Sequence, residues 1–115
     1  WAMDRKGVDD AIRATPSSRF FVLRSRRGGP IGYGITGRAG DRGYLQRIAV
    51  HPGVQRTGIA TALVTDALAW MAARGLTAAL VNTGTDNLAA LALYERFGFV
   101  RLGDDLTVAE FRFDD

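Results

Sequence analysis

The stretch Gln46–Trp70 reads QRIAVHPGVQRTGIATALVTDALAW. It is a β-rich run that breaks at His51–Pro52–Gly53 and restarts as a helix after Gln55–Arg56–Thr57–Gly58–Ile59–Ala60. A glycine-containing loop that opens a helix can hold an anion. The first helical amides have no intrahelical acceptor, and the helix dipole adds partial positive charge there. Together they make a seat for a phosphate or pyrophosphate. Gly58 lets the backbone approach such a group, because a Cβ would stand in its way. Thr57 is expected to cap the helix and Arg56 to add a charge-assisted contact. The same residues also suit plainer roles, Gly58 as a tight turn and Ala60 as a close-packing position. Other phosphate motifs fit less well: no Gly-Lys-Ser/Thr is present, and the first two glycines of the dinucleotide fingerprint are missing.

Further along, Tyr94 stands on a helix rich in Ala and Leu, where a tyrosine serves equally as core. Asn87 stands where a helix cap is expected. The one histidine, His51, precedes a proline and reads as a loop residue. Asp104–Asp105 reads as a solvated turn, and Trp70–Met71 as core.

The elements that must position these residues follow from periodicity. Val8–Thr15 is predicted as a short helix ended by Pro16. Arg19–Arg26, Ile31–Arg38 and Tyr44–Val50 are predicted strands, joined by turns at Gly28–Gly29–Pro30 and Gly40–Asp41–Arg42–Gly43. The glycines of Ile31–Arg38 suit a strand that bends or lies close to another backbone. In Tyr44–Val50, Leu45 is followed by the apolar Ile48 and Val50. The helix Gly58–Arg74 repeats apolar residues at Ile59, Leu63, Ala67 and Trp70, beside Val64, Leu68 and Met71, with Gly75 as its cap. Thr77–Asn82 is a continuously apolar strand, so strand–helix–strand implies a parallel pair. Asp86–Phe97 is a helix stopped by Gly98, and Phe99–Leu102 and Thr107–Phe113 are closing strands. The order αβββαβαββ gives an α/β (α+β) class: a mixed, mostly antiparallel sheet with a parallel pair and helices on both faces.

With 115 residues and 47% hydrophobic content, residues 1–115 are expected to form one globular domain. The net charge is +3 and Lys6 is the single lysine. Only Arg24, Arg26 and Arg27 cluster, and they read as a solvated strand end, so no nucleic-acid partner is expected. The lack of cysteine excludes a disulfide framework, a zinc–thiolate site and a thiol nucleophile; no metal is expected. No apolar run approaches the roughly 20 residues of a membrane helix, and Trp1–Lys6 lacks the layout of a signal peptide. The expectation is a cytoplasmic protein without membrane contact.

Two segments carry a resemblance. Gln55, Gly58 and Ala60 match the Q/R-x-x-G-x-G/A acetyl-CoA signature of the GNAT superfamily of N-acetyltransferases, after Ile48–Ala49–Val50–His51–Pro52. Asn87, Ala90, Tyr94, Gly98 and Phe99 resemble its N-x-x-A-x-x-x-Y-E-x-x-G-F segment. Together they cover about Tyr44–Val100. The resemblance implies the acyl-CoA N-acyltransferase (GNAT) fold, its parallel pair splayed at the cofactor site. It also implies acetyl-CoA as co-substrate. In such a site the pantetheine arm lies along Ile48–Ala49–Val50. The pyrophosphate sits on the amides of Arg56, Thr57, Gly58, Ile59 and Ala60, and Thr61 adds its hydroxyl. Asn87 and Ala90 belong to the second cofactor-binding segment, Asn87 on the pantetheine. Tyr94 protonates the departing thiolate, and the Val50 N–H stabilises the developing oxyanion. The acceptor is an amine-bearing small molecule or peptide, and its primary amine attacks directly.

Two departures from the family pattern matter. Where many members carry a glutamate, this chain has Gln46 followed by Arg47, and neither is a base at neutral pH. A main-chain carbonyl with water, a carboxylate such as Glu110, or an amine that arrives neutral are the alternatives. The usual first strand and helix are also lacking before Trp1. A C-terminal part of a longer chain, or a self-associating one such as a homodimer, is therefore expected, with apolar surface open near Phe20–Leu23 and Ile31–Ile35. Besides the enzyme, a non-catalytic acyl-CoA-binding or regulatory module fits the sequence.

Overall fold

The computed structural model describes residues 17–54, 58–83, 88–103 and 108–113. The helix expected over Val8–Thr15 lies outside these residues. Six strands, β1 (Ser17–Arg24), β2 (Pro30–Ala39), β3 (Arg42–Val50), β4 (Ala78–Asn82), β5 (Val100–Leu102) and β6 (Val108–Arg112), form one sheet in the order β1-β2-β3-β4-β6-β5. Two helices, α1 (Ile59–Ala73) and α2 (Leu88–Phe97), connect the strands on either side of β4. All pairs are antiparallel except β3 with β4, where α1 provides the crossover.

Local chemistry sets the boundaries. The first strand ends at Arg24, two residues before the predicted Arg26, because Ser25–Gly29 closes a turn. Gly28 there adopts φ 93° and its N–H donates to the Ser25 carbonyl at 2.9 Å. Helix α1 stops as its sequence indicates. The Gly75 N–H donates to the Ala72 carbonyl and the Leu76 N–H to that of Met71, satisfying the last carbonyls of the helix. The end of α2 repeats the device, with the Phe99 N–H on the Tyr94 carbonyl at 3.1 Å. Phe99 therefore belongs to a helix cap and not to the strand predicted from it. Among the described residues no helix is long and apolar enough to cross a membrane.

Both described helices pack on one face of the sheet. Leu45, Val64, Ala67, Met71, Ala79, Val81, Leu93, Phe99 and Ala109 form one buried cluster drawn from both helices and three strands. Burial of Leu63, Val64 and Met71 contributes about 1.5–3 kcal/mol each, well above the roughly 1 kcal/mol that an N-terminal cap supplies. Packing therefore fixes α1, and its first turn is free of a capping duty. The strand glycines make this packing possible, chiefly by admitting side chains, although at Gly32 a Cβ would also come within 3.2 Å of the Ala49 carbonyl of the neighbouring strand. A Cβ at Gly43 would collide with the Met71 sulfur, and one at Gly32 would come within 3.0 Å of Leu63 Cδ1.

The opposite face is not open at Ile31–Ile35 as the sequence suggested. Tyr33 is 2% exposed and Ile35 0%, packed with Val22 and Ala49, whereas Phe20 remains 38% exposed. Cross-strand pairing accounts for part of this, since Val22 lies opposite Tyr33 and Tyr33 opposite Ala49.

Gly34 gives a test of this packing. Its missing Cβ is space filled by the Phe21 ring, with Ile48 Cδ1 only 3.1 Å away. Gly34→Ala should cost about 1–3 kcal/mol of stability by overpacking, read from urea unfolding. Adding Phe21→Leu should return part of that loss, and no return would mean that the ring is not what fills the space.

Candidate functional site

The pairing of β2 with β3 slips by one residue in its middle. Ile35 lies opposite Arg47 and Thr36 opposite Leu45, so Gln46 is the extra residue of a β-bulge. Before the bulge, Gly43 and Leu45 face the helices; after it, Ile48 and Val50 do, and Arg47 and Ala49 turn to the other side. The parallel pairing with β4 ends at the same place, Leu45 opposite Val81. Beyond Leu45 the ladder between β3 and β4 does not continue among the described residues, and the two strands part.

The parted segment presents main-chain groups to the gap. The His51 N–H donates to the Ile31 carbonyl at 2.9 Å, so His51 points its N–H at β2. Backbone groups alternate along a strand, so the N–H and C=O of Val50 and Ile48 point away from β2, into the gap. His51 itself shapes the turn: its Nδ1 accepts the Gly53 N–H at 2.9 Å. It is a loop residue, as its sequence context indicates.

A cavity of about 590 Å³ occupies the helix side of the gap. Ile48 and Val50 form one wall, Gly58, Ala60 and Thr61 of the start of α1 a second, and Ala89, Ala90, Leu93, Tyr94 and Arg96 of α2 a third. The N-cap of α1 is Gly58 at φ 87°, without a side-chain cap hydrogen bond, and the first turn carries no acidic residue. The first intrahelical bond runs from the Ala62 N–H to the Gly58 carbonyl, so the preceding amides have no acceptor within the helix. The cap thus falls at Gly58 and not at the expected Thr57. Among the described residues, a Cβ built on Gly58 would meet no atom within 4 Å. Gly58 lines the cavity, and its positive φ disfavours any side chain there independently.

Tyr94 is half-buried against the core, its ring 5.4 Å from that of Phe99. Burial pushes its phenol above the ordinary value of 10.0, so the hydroxyl stays protonated and can donate a proton. On the opposite face of the sheet a smaller cavity, about 360 Å³, is lined by Tyr44, Gln46, Leu80, Asn82 and Val108 at the same gap. Glu110, weighed above as a base, lies opposite Leu80, and its Oε1 pairs with Arg112 Nε at 3.3 Å.

Of the residues singled out from sequence, Ile48, Val50, Gly58, Ala60, Thr61, Ala90 and Tyr94 line one cavity. Ala49 does not, because the bulge turns it to the other face. Ile59 does not either, since its Cγ2 sits 3.1 Å from where a Gly32 Cβ would be. Gln55, Arg56, Thr57 and Asn87 lie outside the described residues. Sequence reasoning missed Ala89, Leu93 and Arg96, although their i, i+4, i+7 spacing marks one helix stripe.

Comparison with known proteins agrees with this geometry. The sequence profile described as Acetyltransferase (GNAT) family matches residues 2–99. A mycothiol acetyltransferase of Amycolatopsis mediterranei is 35% identical over 106 residues, which are 84% of this chain and 35% of that protein. The chain spans between 21% and 35% of the length of four mycothiol acetyltransferases that it matches. Among solved structures, the ribosomal-protein-S18-alanine N-acetyltransferase of Escherichia coli superposes with a TM-score of 0.81 at 23% identity, covering 97% of this chain and 78% of that one. A PaiA N-acetyltransferase of Thermoplasma acidophilum, solved in complex with coenzyme A, gives 0.80 at 14% identity, covering 96% and 72%.

The orientation of the β3 edge is open to direct measurement. The Val50 amide faces the gap, whereas that of Ala49 is committed to β2. Amide exchange followed by NMR should be about tenfold or more faster at Val50 than at Ala49. Equal protection would mean that the two strands do not part.

Proposed function

We propose, from the premise that the chain belongs to the acetyltransferase (GNAT) family, that it transfers the acetyl group of acetyl-CoA to a primary amine. The observation that carries this reading is the cavity shared by the uncapped start of α1, the parted edge of β3 and Tyr94. Its chemistry suits an acyl-CoA. The start of α1 offers amides and a positive dipole end to a pyrophosphate, with Gly58 leaving the space clear. The Ile48–Val50 edge offers alternate main-chain groups to an extended amide-bearing arm.

Bound acetyl-CoA supplies an acetyl thioester and, as the acetyl group leaves, a thiolate. The acceptor amine reaches it from the gap, where the second cavity opens on the other face of the sheet. The Val50 N–H receives the charge that develops on the carbonyl oxygen. The Tyr94 hydroxyl gives its proton to the thiolate, and the proton that the attacking nitrogen loses as the amide forms restores the phenol. No carboxylate lines either cavity among the described residues, which favours an acceptor that arrives as the neutral amine. Gln46 occupies the bulge beside that path.

Release of free thiol with a panel of primary amines tests the reading. Turnover with at least one amine is expected. Acetyl-CoA binding without release from any amine would identify a non-catalytic acyl-CoA-binding module instead. Tyr94→Phe should lower kcat on the order of 10²-fold while leaving acetyl-CoA affinity nearly unchanged. A change within about twofold, with chemistry rate-limiting, would reduce Tyr94 to packing. The pH dependence has a definite sign. A phenol held above its ordinary value remains a proton donor, so kcat/KM should rise through the amine's pKa and not fall below about pH 10. A descending limb near neutrality would assign the proton donor elsewhere.

A further inference from the structure

We infer that Arg96 is the residue by which this chain recognises the 3′-phosphate of its coenzyme, and so distinguishes CoA from 3′-dephospho-CoA. The inference rests on the acyl-CoA reading above. Arg96 stands in the last turn of α2 and is the one charged residue that lines the helix-side cavity among the described residues. The other arginines near acidic groups are engaged: Arg19 with Asp66 at 2.7 Å, Arg101 with Glu95 at 3.0 Å and Arg112 with Glu110 at 3.3 Å. Arg96 forms no ion pair among the described residues. Its neighbour Glu95, the nearest carboxylate in sequence, is turned to Arg101.

Position separates this cation from the phosphate seat already described. The start of α1 provides amides on one wall of the cavity, whereas Arg96 belongs to the wall that α2 forms. It continues the stripe Ala89–Leu93–Arg96, about 10 Å along α2 from Ala89. Ala89 and Leu93 offer no charge, so the stripe carries its one cation at the Arg96 end, where the side chain is exposed, as Ala89 is at the other end. A CoA molecule carries charge in two places, the pyrophosphate and the ribose 3′-phosphate. With the pyrophosphate on the α1 amides, the remaining anion is the outer one, at the solvent-facing adenosine end. A guanidinium at the rim matches it in charge and can bind it through two parallel N–H donors.

Titration calorimetry of CoA and 3′-dephospho-CoA into the wild-type chain, Arg96→Gln and Arg96→Lys tests this directly. Wild type should bind CoA about tenfold or more tightly than 3′-dephospho-CoA. Arg96→Gln should lose about that factor for CoA and stay within about twofold for 3′-dephospho-CoA. Arg96→Lys should recover part of the preference. Because Arg96 is exposed, thermal unfolding of the variants should stay close to wild type, which confirms that the change is at the ligand. Equal wild-type affinity for the two compounds would overturn the assignment and leave the acyl-CoA reading intact. So would an Arg96→Gln loss shared equally by both, since the cation would then act on the pyrophosphate. Failure of wild type to bind either compound would remove the acyl-CoA reading, and this inference with it.

Discussion

The single extra residue at Gln46 governs the arrangement of the site. It changes which side chains of β3 face the helices, placing Ile48 and Val50 in the cavity wall and sending Arg47 and Ala49 to the other side. It falls where the parallel ladder with β4 ends at Leu45 and Val81. A bulge increases local twist and bends the strand that carries it, which is the motion needed to part β3 from β4. The parting creates a gap with a cavity on each face of the sheet and, among the described residues, leaves main-chain groups of Ile48 and Val50 without a strand partner on that side. Without the bulge, a ladder continuing to Val50 would use those groups, and the sheet would be closed.

The rest of the molecule makes this opening tolerable. An unpaired strand edge and an uncapped helix start are each unfavourable by about 1 kcal/mol or more. They are held in place by a core that does not depend on them. Met71 reaches into the space above Gly43, Leu63 packs over Gly32, and Leu45, Val81 and Ala109 are buried across three neighbouring strands. The Thr77 N–H ties the start of β4 to the β2–β3 turn by donating to the Asp41 carbonyl at 2.7 Å. The strands are thus fastened at the end away from the gap and are free to diverge at the other.

Much of this was legible in the residues. The apolar stripe of α1, the glycine after it at Gly75, the stop at Gly98 and the glycine at the start of α1 all act through local chemistry, which a sequence displays directly. Tyr94 was legible through its spacing from Gly98 and Phe99. The bulge was not drawn from the sequence, yet its trace is there. Leu45 followed by Ile48 and Val50 breaks the period of two, and an odd-to-even change of apolar positions requires one extra residue. The strand glycines were read only in part: a missing Cβ says that something comes close without saying what, and besides the Ala49 carbonyl at Gly32 it is side chains that enter. The expected open face at Ile31–Ile35 failed for a similar reason: burial of Tyr33 and Ile35 is set by tertiary neighbours, which local pattern does not contain. Arg96 was not singled out from the sequence, because its place depends on which cavity α2 faces.

The bulge also carries a consequence for how this segment can vary. Replacing Gln46 changes a side chain; removing it changes the parity of every later residue in β3. A one-residue deletion there would rotate Ile48 and Val50 out of the cavity and bring Arg47 and Ala49 in, a simultaneous exchange at four positions. Insertion of one residue between Leu45 and Ile48 would do the same. The segment between Gly43 and His51 is accordingly constrained in length more strictly than in composition. Divergence there is expected to proceed by substitution, with gaps confined to the turns on either side.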